Sequence, residues 1–173
     1  MKRIKLVAPS LEHKCLVMDY KREFIENEDS MDGTAGLRNS ETYEEWYQLI
    51  VDNSCEETVK EDLVPASTYL GISVKDGRLI GMIDIRHRLN DFLFNYGGHI
   101  GYSVRKSERQ KGYATEMLSL ALRKCLNLGM DRVLITCDKK NIASAKTIIK
   151  NGGELENEVV EENEIIQRYW IKI

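Results

Sequence analysis

The sequence predicts an α/β (α+β) protein of one domain, residues 1–173, with a mixed central sheet of about six to seven strands flanked by about four helices. Three observations carry this reading. Apolar residues alternate over short runs and recur at helical spacing over longer ones, in the order β-α-α-β-β-β-α-β-α-β-β. A unit near the middle joins a strand, a basic loop, an amphipathic helix and a nearly all-apolar strand. The chain is also long enough for one real core and shows neither an internal repeat nor a proline-rich linker.

Taken in order, residues 3–8 read as a strand, which Pro9 stops and Ser10 follows as an N-cap for a helix over 11–26. Residues 27–40 form a polar loop bearing glycines. Thr42-x-x-Glu45 resembles a capping box, opening a helix whose apolar face is Trp46, Leu49 and Ile50. Residues 68–74 and 79–86 are strand-like, and Asp76-Gly77 between them signals a hairpin. After a loop at 89–98 comes a strand over 100–104, then a helix over 113–128 that buries Leu118, Ala121, Leu122, Cys125 and Leu128 and stops at Gly129. Residues 133–137 are apolar enough for a strand buried in a parallel sheet. A short helix over 141–151 and two strands, 155–160 and 165–173, complete the chain.

Composition narrows the function. Hydrophobic residues make up 42% and charged residues 31%, with a net charge of −3. That balance argues against a nucleic-acid partner. The four cysteines, Cys15, Cys55, Cys125 and Cys137, form no CxxC and no metal-ligand spacing, which suits free thiols in a reducing cytoplasm and predicts no metal. No apolar run is long enough for a signal peptide or a membrane span, so no membrane partner is expected.

The informative stretch is residues 99–115, HIGYSVRKSERQKGYAT. A strand ending at Val104 passes through a loop carrying Arg105, Arg109 and Lys111 into a helix beginning just after Gly112. The first N–H groups of a helix lack internal partners and carry partial positive charge, and small residues let an anion approach them. This reads as a pyrophosphate cradle. The P-loop pattern and the dinucleotide pattern GxGxxG are both absent. What stands here is Arg109-x-x-Gly112-x-Ala114, which resembles the [QR]-x-x-G-x-[GA] signature of the GCN5-related N-acetyltransferases (GNAT family). Together with the element order, the resemblance spans nearly the whole chain. The Gly-Gly-His-Ile-Gly-Tyr-Ser-Val run looks like a bacterial subgroup described only as predicted acetyltransferases.

The resemblance implies an acetyl-CoA-dependent acyltransferase on a GNAT-like fold. Tyr102, Ser103 and Val104 would line the acetyl and pantetheine end, with the Val104 backbone N–H polarising the thioester carbonyl. Arg109, Gln110, Lys111, Gly112, Tyr113, Ala114 and Thr115 would hold the pyrophosphate of coenzyme A. Asn141 would contact the pantetheine and Ser144 would approach the thiol. An Asn followed by Ser three residues on is also what a plain helix N-cap looks like.

Two departures matter. Many relatives carry a tyrosine seven residues after that Asn, and this position is Ile148; the usual Gly-Phe ending is Gly152-Gly153. Proton donation to the leaving thiolate then falls to Tyr102 or Tyr113, or is not needed. For a general base, His99 is the best-matched type, with Asp84 as a carboxylate alternative. His87, Arg86 and Arg88 are expected to form a polar rim attracting an acidic acceptor. Cys137 sits among apolar neighbours that argue against a reactive thiolate, which favours direct attack in a ternary complex. The acceptor is a small-molecule or peptide amine, and the edge strand of the last hairpin could pair with a second subunit. The alternative is a catalytically inactive CoA-binding sensor or interaction module on the same fold.

Overall fold

The computed structural model describes residues 2–173. Strands β1 (Ile4–Val7), β2 (Ala66–Ser73), β3 (Leu79–Arg86) and β4 (Ile100–Val104) form a sheet in that spatial order. Strands β5 (Arg132–Asp138), β6 (Glu154–Glu161) and β7 (Glu164–Lys172) form a second sheet in the order β5-β7-β6. Helices α1 (Lys14–Glu26) and α2 (Tyr43–Asp52) follow β1, α3 (Tyr113–Asn127) links β4 to β5, and α4 (Ile142–Lys150) links β5 to β6. The predicted element order is therefore present throughout.

The sheet itself differs from the expectation of one mixed sheet. Every pairing described is antiparallel, and β5, expected in a parallel sheet, is bonded to β7 in register from Arg132↔Lys172 to Asp138↔Ile166. An all-apolar strand needs cover on both faces, and antiparallel pairing supplies that as well as parallel pairing does. The local run could not tell the two apart.

The cores explain the layers. Ile83 and Ile85 of β3 join Leu118, Ala121 and Cys125 of α3 and Val133 and Ile135 of β5 in one buried cluster. Met82, just before them and facing the other side of the sheet, joins Leu70 and Ile72 of β2 with Tyr20 and Phe24 of α1 and Trp46 of α2 in another. The first sheet is thus covered on both faces. Leu128, expected in the α3 face, is 45% exposed because the helix ends at Asn127 and the chain turns at Gly129. Locally, a 3-10 turn over Leu11–His13 precedes α1, and Thr42 caps α2 by accepting from the Glu45 N–H at 3.1 Å. The loop at 89–98 contains a π-helical turn, Leu93–Gly97, which no local pattern announced.

Candidate active site

The site begins where two strands part. Arg105 N–H donates to Ile80 O at 3.0 Å, and Gly81↔Val104 and Ile83↔Tyr102 face each other in register. Bonded and non-bonded pairs alternate along an antiparallel ladder, so the Tyr102 and Val104 amides point away from β3. That is the side toward β5, but β5 is engaged with β7. β4 and β5 are tied at one point: His99 N–H donates to Leu134 O at 2.7 Å, and Leu134 N–H donates to His99 Nδ1 at 2.9 Å. Beyond it a cavity of about 530 Å³ opens, lined by Tyr102, Ser103 and Val104 on one side and by Cys137, Asn141 and Ser144 on the other.

A second cavity of about 350 Å³ continues past Val104 to the start of α3, where Gln110, Gly112, Tyr113, Ala114 and Thr115 line it. Gln110 (φ 61°) and Gly112 (φ 79°) both take left-handed backbone, which turns successive amides inward at the helix N-terminus. A Cβ at Gly112 would meet only Arg3 Nη2, at 3.5 Å, so the backbone angle rather than crowding selects glycine here. The cations divide unevenly. Arg109 borders both cavities. Lys111 Nζ is bound to Glu108 Oε2 and Ser107 O, both at 2.9 Å.

Arg105, expected among the cradle cations, is instead a 5% exposed anchor. Its guanidinium donates to Glu23 Oε2 (2.6 Å), Asp19 Oδ2 (2.8 Å) and Leu79 O (3.2 Å), fastening α1 to the end of β4. Three cations that the motif did not single out lie nearby. Arg3 binds Glu116 and the Lys111 carbonyl and covers the Tyr113 ring at 4.6 Å. Lys146 and Lys150, one turn apart on α4, border the second cavity. Their i, i+4 spacing after Asn141 was a usable signal, whereas nothing local marks Arg3.

Around the first cavity the hydroxyls converge. Tyr102 Oη lies 2.8 Å from Ser144 Oγ, and burial pushes the phenol up to about 12, so it keeps its proton. Asn141 Oδ1 accepts from the Ser144 N–H at 3.1 Å as the α4 N-cap, and the residue also lines the cavity. Ser103 lines it too, but its hydroxyl donates to Asp32 O at 2.6 Å and lies 3.0 Å from Tyr20 Oη, so its side chain holds structure. Burial pushes the Cys137 thiol up to about 11, leaving it no thiolate at neutral pH.

The catalytic candidates fare differently. His99 does not line the cavity; its Nδ1 lone pair is taken by the Leu134 amide, and burial pulls the imidazole down to about 4. Its role is to pin the vertex of the splay, a correction to the general-base expectation. Asp84 is buried, accepts from Thr68 Oγ1 at 2.8 Å, and sits 3.7 Å from Arg86 Nε. The basic rim does not form either. Arg86 donates to the Gly97 and Gly98 carbonyls, His87 is bonded to Ser67, and Arg88 pairs with Glu56. Tyr113 borders only the second cavity, which leaves Tyr102 as the phenol beside Ser144. Ile148 is fully buried, and a Cβ at Gly153 would stand 2.4 Å from its Cγ2, so the two departures at 148 and 153 fit each other.

The far side of the first cavity is walled by residues that the motif search missed. Asp29, Ser30 and Asp32 come from the glycine-bearing loop, and Asp138 from the end of β5. Gly33 seats that loop (φ 69°), since a Cβ there would lie 2.1 Å from Gly101 O. Asp32-Gly33 signals a turn in the sequence, but not that the turn lies flat on β4. Among the described residues, no group of three or more His, Cys, Asp or Glu could hold a metal ion, and no helix is long and apolar enough to cross a membrane.

A strand pair splayed beside a helix-N-terminal cradle is the geometry that the sequence signature led one to expect, and comparison with known families decides the matter. The family model described as an acetyltransferase (GNAT) domain matches residues 3–154. The chain belongs to the GNAT acetyltransferase family. Solved structures of the family share the fold across nearly the full length. One is a GnaT-family acetyltransferase from Bordetella pertussis, 16% identical, covering 98% of this chain and 96% of that one with a TM-score of 0.70. Another is the ribosomal-protein-S5-alanine acetyltransferase from Vibrio fischeri, 18% identical, covering 99% and 94% with a TM-score of 0.71. A third is a mutant form of the spermidine/spermine N-acetyltransferase SpeG from Vibrio cholerae, 13% identical, covering 99% and 95% with a TM-score of 0.69. No curated protein sequence matches.

Proposed function

We propose that this GNAT enzyme transfers the acetyl group of acetyl-CoA to an amine by direct attack within a ternary complex. The observation that carries the reading is the continuity of the two cavities across Val104. The inward amides of β4 lead into a left-handed, amide-rich turn at the head of α3, a path suited to an amide-bearing arm ending in phosphates. When bound, acetyl-CoA supplies an activated thioester.

The chain's own groups do the rest. The Val104 N–H would donate to the thioester oxygen as charge builds on it, and backbone donors need no reorganisation to do so. Gln110, Lys111, Gly112, Tyr113, Ala114 and Thr115 would hold the pyrophosphate, helped by Arg109 and by Lys146 and Lys150 across the groove. The Tyr102 phenol and Ser144 hydroxyl would hydrogen-bond the departing sulfur. A thiol of pKa roughly 8.5 leaves without full protonation, so a donor held this way suffices and a helix tyrosine at 148 is not required. Cys137, protonated and buried, supports direct transfer over a thiol-bound intermediate. The carboxylates of the acceptor wall favour an amine that arrives as an ammonium, which gives up a proton to solvent water in the cavity before its lone pair attacks. The names of the neighbours make polyamines and protein N-termini the first acceptors to try.

The test is calorimetric titration with acetyl-CoA of the wild type and of Gly112→Asp, with Gly112→Asn as the uncharged partner that also tolerates left-handed backbone. Charge-assisted hydrogen bonds contribute about 1.5–3 kcal/mol each, so placing a carboxylate in the cradle should weaken binding by at least about a hundredfold. Thiol release with spermidine and with an alanine-terminated peptide then screens acceptors. A folded wild type that does not bind acetyl-CoA would overturn the reading.

A further inference from the structure

One contact joins the two halves of the site. Arg109 Nη2 stands 3.0 Å from Asp29 Oδ2, and Arg109 Nη1 stands 3.3 Å from Asp29 Oδ1. Arg109 also donates from Nε to Val104 O at 2.9 Å and lies over the Phe24 ring. It borders both the cradle and the larger cavity, whereas Asp29 borders only the larger one. Asp29 Oδ2 is sealed from solvent yet receives no properly directed hydrogen bond, since the near guanidinium nitrogen is out of line with it. Buried carboxylate oxygens normally find a donor. This one is held by charge alone.

Resting on the function proposed above, we infer that Asp29 is a positioning residue that holds Arg109 off the cradle, and that an anion in the cradle releases it to the acceptor side. The two partners of Arg109 compete. A phosphate group at the head of α3 attracts the guanidinium more strongly than one misaligned carboxylate does, because it offers several oxygens to a planar fork. Once Arg109 turns, Asp29 Oδ2 stands buried in the acceptor cavity without its ion-pair partner, since Arg38 donates to the Asp29 backbone carbonyl and not to the carboxylate. An incoming ammonium then supplies both the charge and the missing N–H. Coupling follows from linkage: whatever the anion gains by taking Arg109, the amine gains by finding Asp29 unmasked. Asp32 and Asp138 share the cavity, but neither pairs with an arginine there, since Asp32 accepts from Ser30 and Asp138 from the Lys140 amide.

The experiment is calorimetric titration of CoA, which lacks an acetyl group and cannot turn over, into the wild type, Asp29→Asn and Asp32→Asn. An ion pair of intermediate exposure sets the scale, so Asp29→Asn should bind CoA about two- to fivefold more tightly than the wild type. A residue with only a structural role would weaken CoA binding when replaced, not tighten it. Asp32→Asn removes an equal charge from the same cavity and should change the affinity less than about half as much on the logarithmic scale. Equal gains in both variants would mean a general field effect and would overturn the inference, as would an unchanged or weakened Asp29→Asn. Failure of the wild type to bind CoA at all would instead strike the proposed function. The loop carrying Asp29 stays anchored in both variants by Gly33 on Gly101, by Ser103 Oγ donating to Asp32 O and by Trp46 Nε1 donating to Thr34 O at 2.8 Å.

Discussion

Replacing Gly33 by alanine is the sharpest test of how the acidic wall of the larger cavity is built, and Gly77→Ala is its natural control. Both glycines adopt left-handed backbone, at φ 69° and φ 72°. A Cβ at Gly77 would meet nothing within 4 Å, so that variant carries only the conformational penalty of an L-residue, about 1–2 kcal/mol. At Gly33 the same Cβ would stand 2.1 Å from Gly101 O and 2.6 Å from Tyr102 Cα, both backbone atoms of β4, which is bonded to β3 along its whole length. The strand cannot yield, so the loop must lift. Lifting it puts at risk two hydrogen bonds, Ser103 Oγ to Asp32 O and Trp46 Nε1 to Thr34 O, each contributing about 1 kcal/mol. Gly33→Ala should therefore cost at least about 2 kcal/mol more than Gly77→Ala. At 2–4 °C per kcal/mol for a chain of this size, that is a gap of at least roughly 4 °C in Tm by calorimetry or far-UV circular dichroism. Equal melting temperatures would show that the loop does not rest on β4, and Asp29 and Asp32 would lose their place in the site.

Four further predictions concern the groups around it. Arg105→Met should destabilise by about 2–4 kcal/mol in denaturant unfolding, because it strands Glu23 beneath α1 while Asp19 can still reach water. Burial alone would raise the Glu23 carboxyl, but bonds from the Ser107 amide and from Arg105 outweigh it and hold the group below 4.5. Its contribution is then present above pH 4.5 and lost as pH falls through the depressed folded value, so Glu23→Gln should flatten the acid limb of Tm against pH; an unchanged limb would count against it. His99, pulled down by burial to about 4 from 6.5, should stay neutral by NMR from pH 8 to 5. The unfolded chain takes up that proton from about pH 6.5 downward and the folded one only near 4, so stability is lost between about pH 6.5 and 4; an imidazole titrating near 6.5 would refute the buried, amide-bound assignment. Tyr102→Phe should lower kcat about tenfold while changing acetyl-CoA affinity less than about threefold, separating a donor to the departing sulfur from a binding contact.

Much of the site could be read from local chemistry. Arg109-x-x-Gly112-x-Ala114 is legible because a helix start, a small residue and a left-handed turn are decided by neighbouring residues, and Asn141-x-x-Ser144 is legible as a cap for the same reason. The helices and the hairpin at Asp76-Gly77 follow equally from spacing. The errors came where identity had to stand in for place. His99 has the right pKa type for a base, but burial and the Leu134 amide take its lone pair. Arg105 looked like a cradle cation, yet Asp19 and Glu23, more than eighty residues earlier in the chain, claim it.

The sequence by itself determined the element order, the turn into α3 and the family, because hydrophobic periodicity, capping and turn chemistry act over a few residues. Only the tertiary structure decided that β5 pairs with β7 and leaves the β4 amides open, that Gly33 presses an acidic loop onto β4, and that Asp29 meets Arg109. These are contacts between distant segments. Each is set by shape and burial after the chain has collapsed, and a carboxylate in a polar loop looks the same in sequence whether it faces water or the floor of an active site.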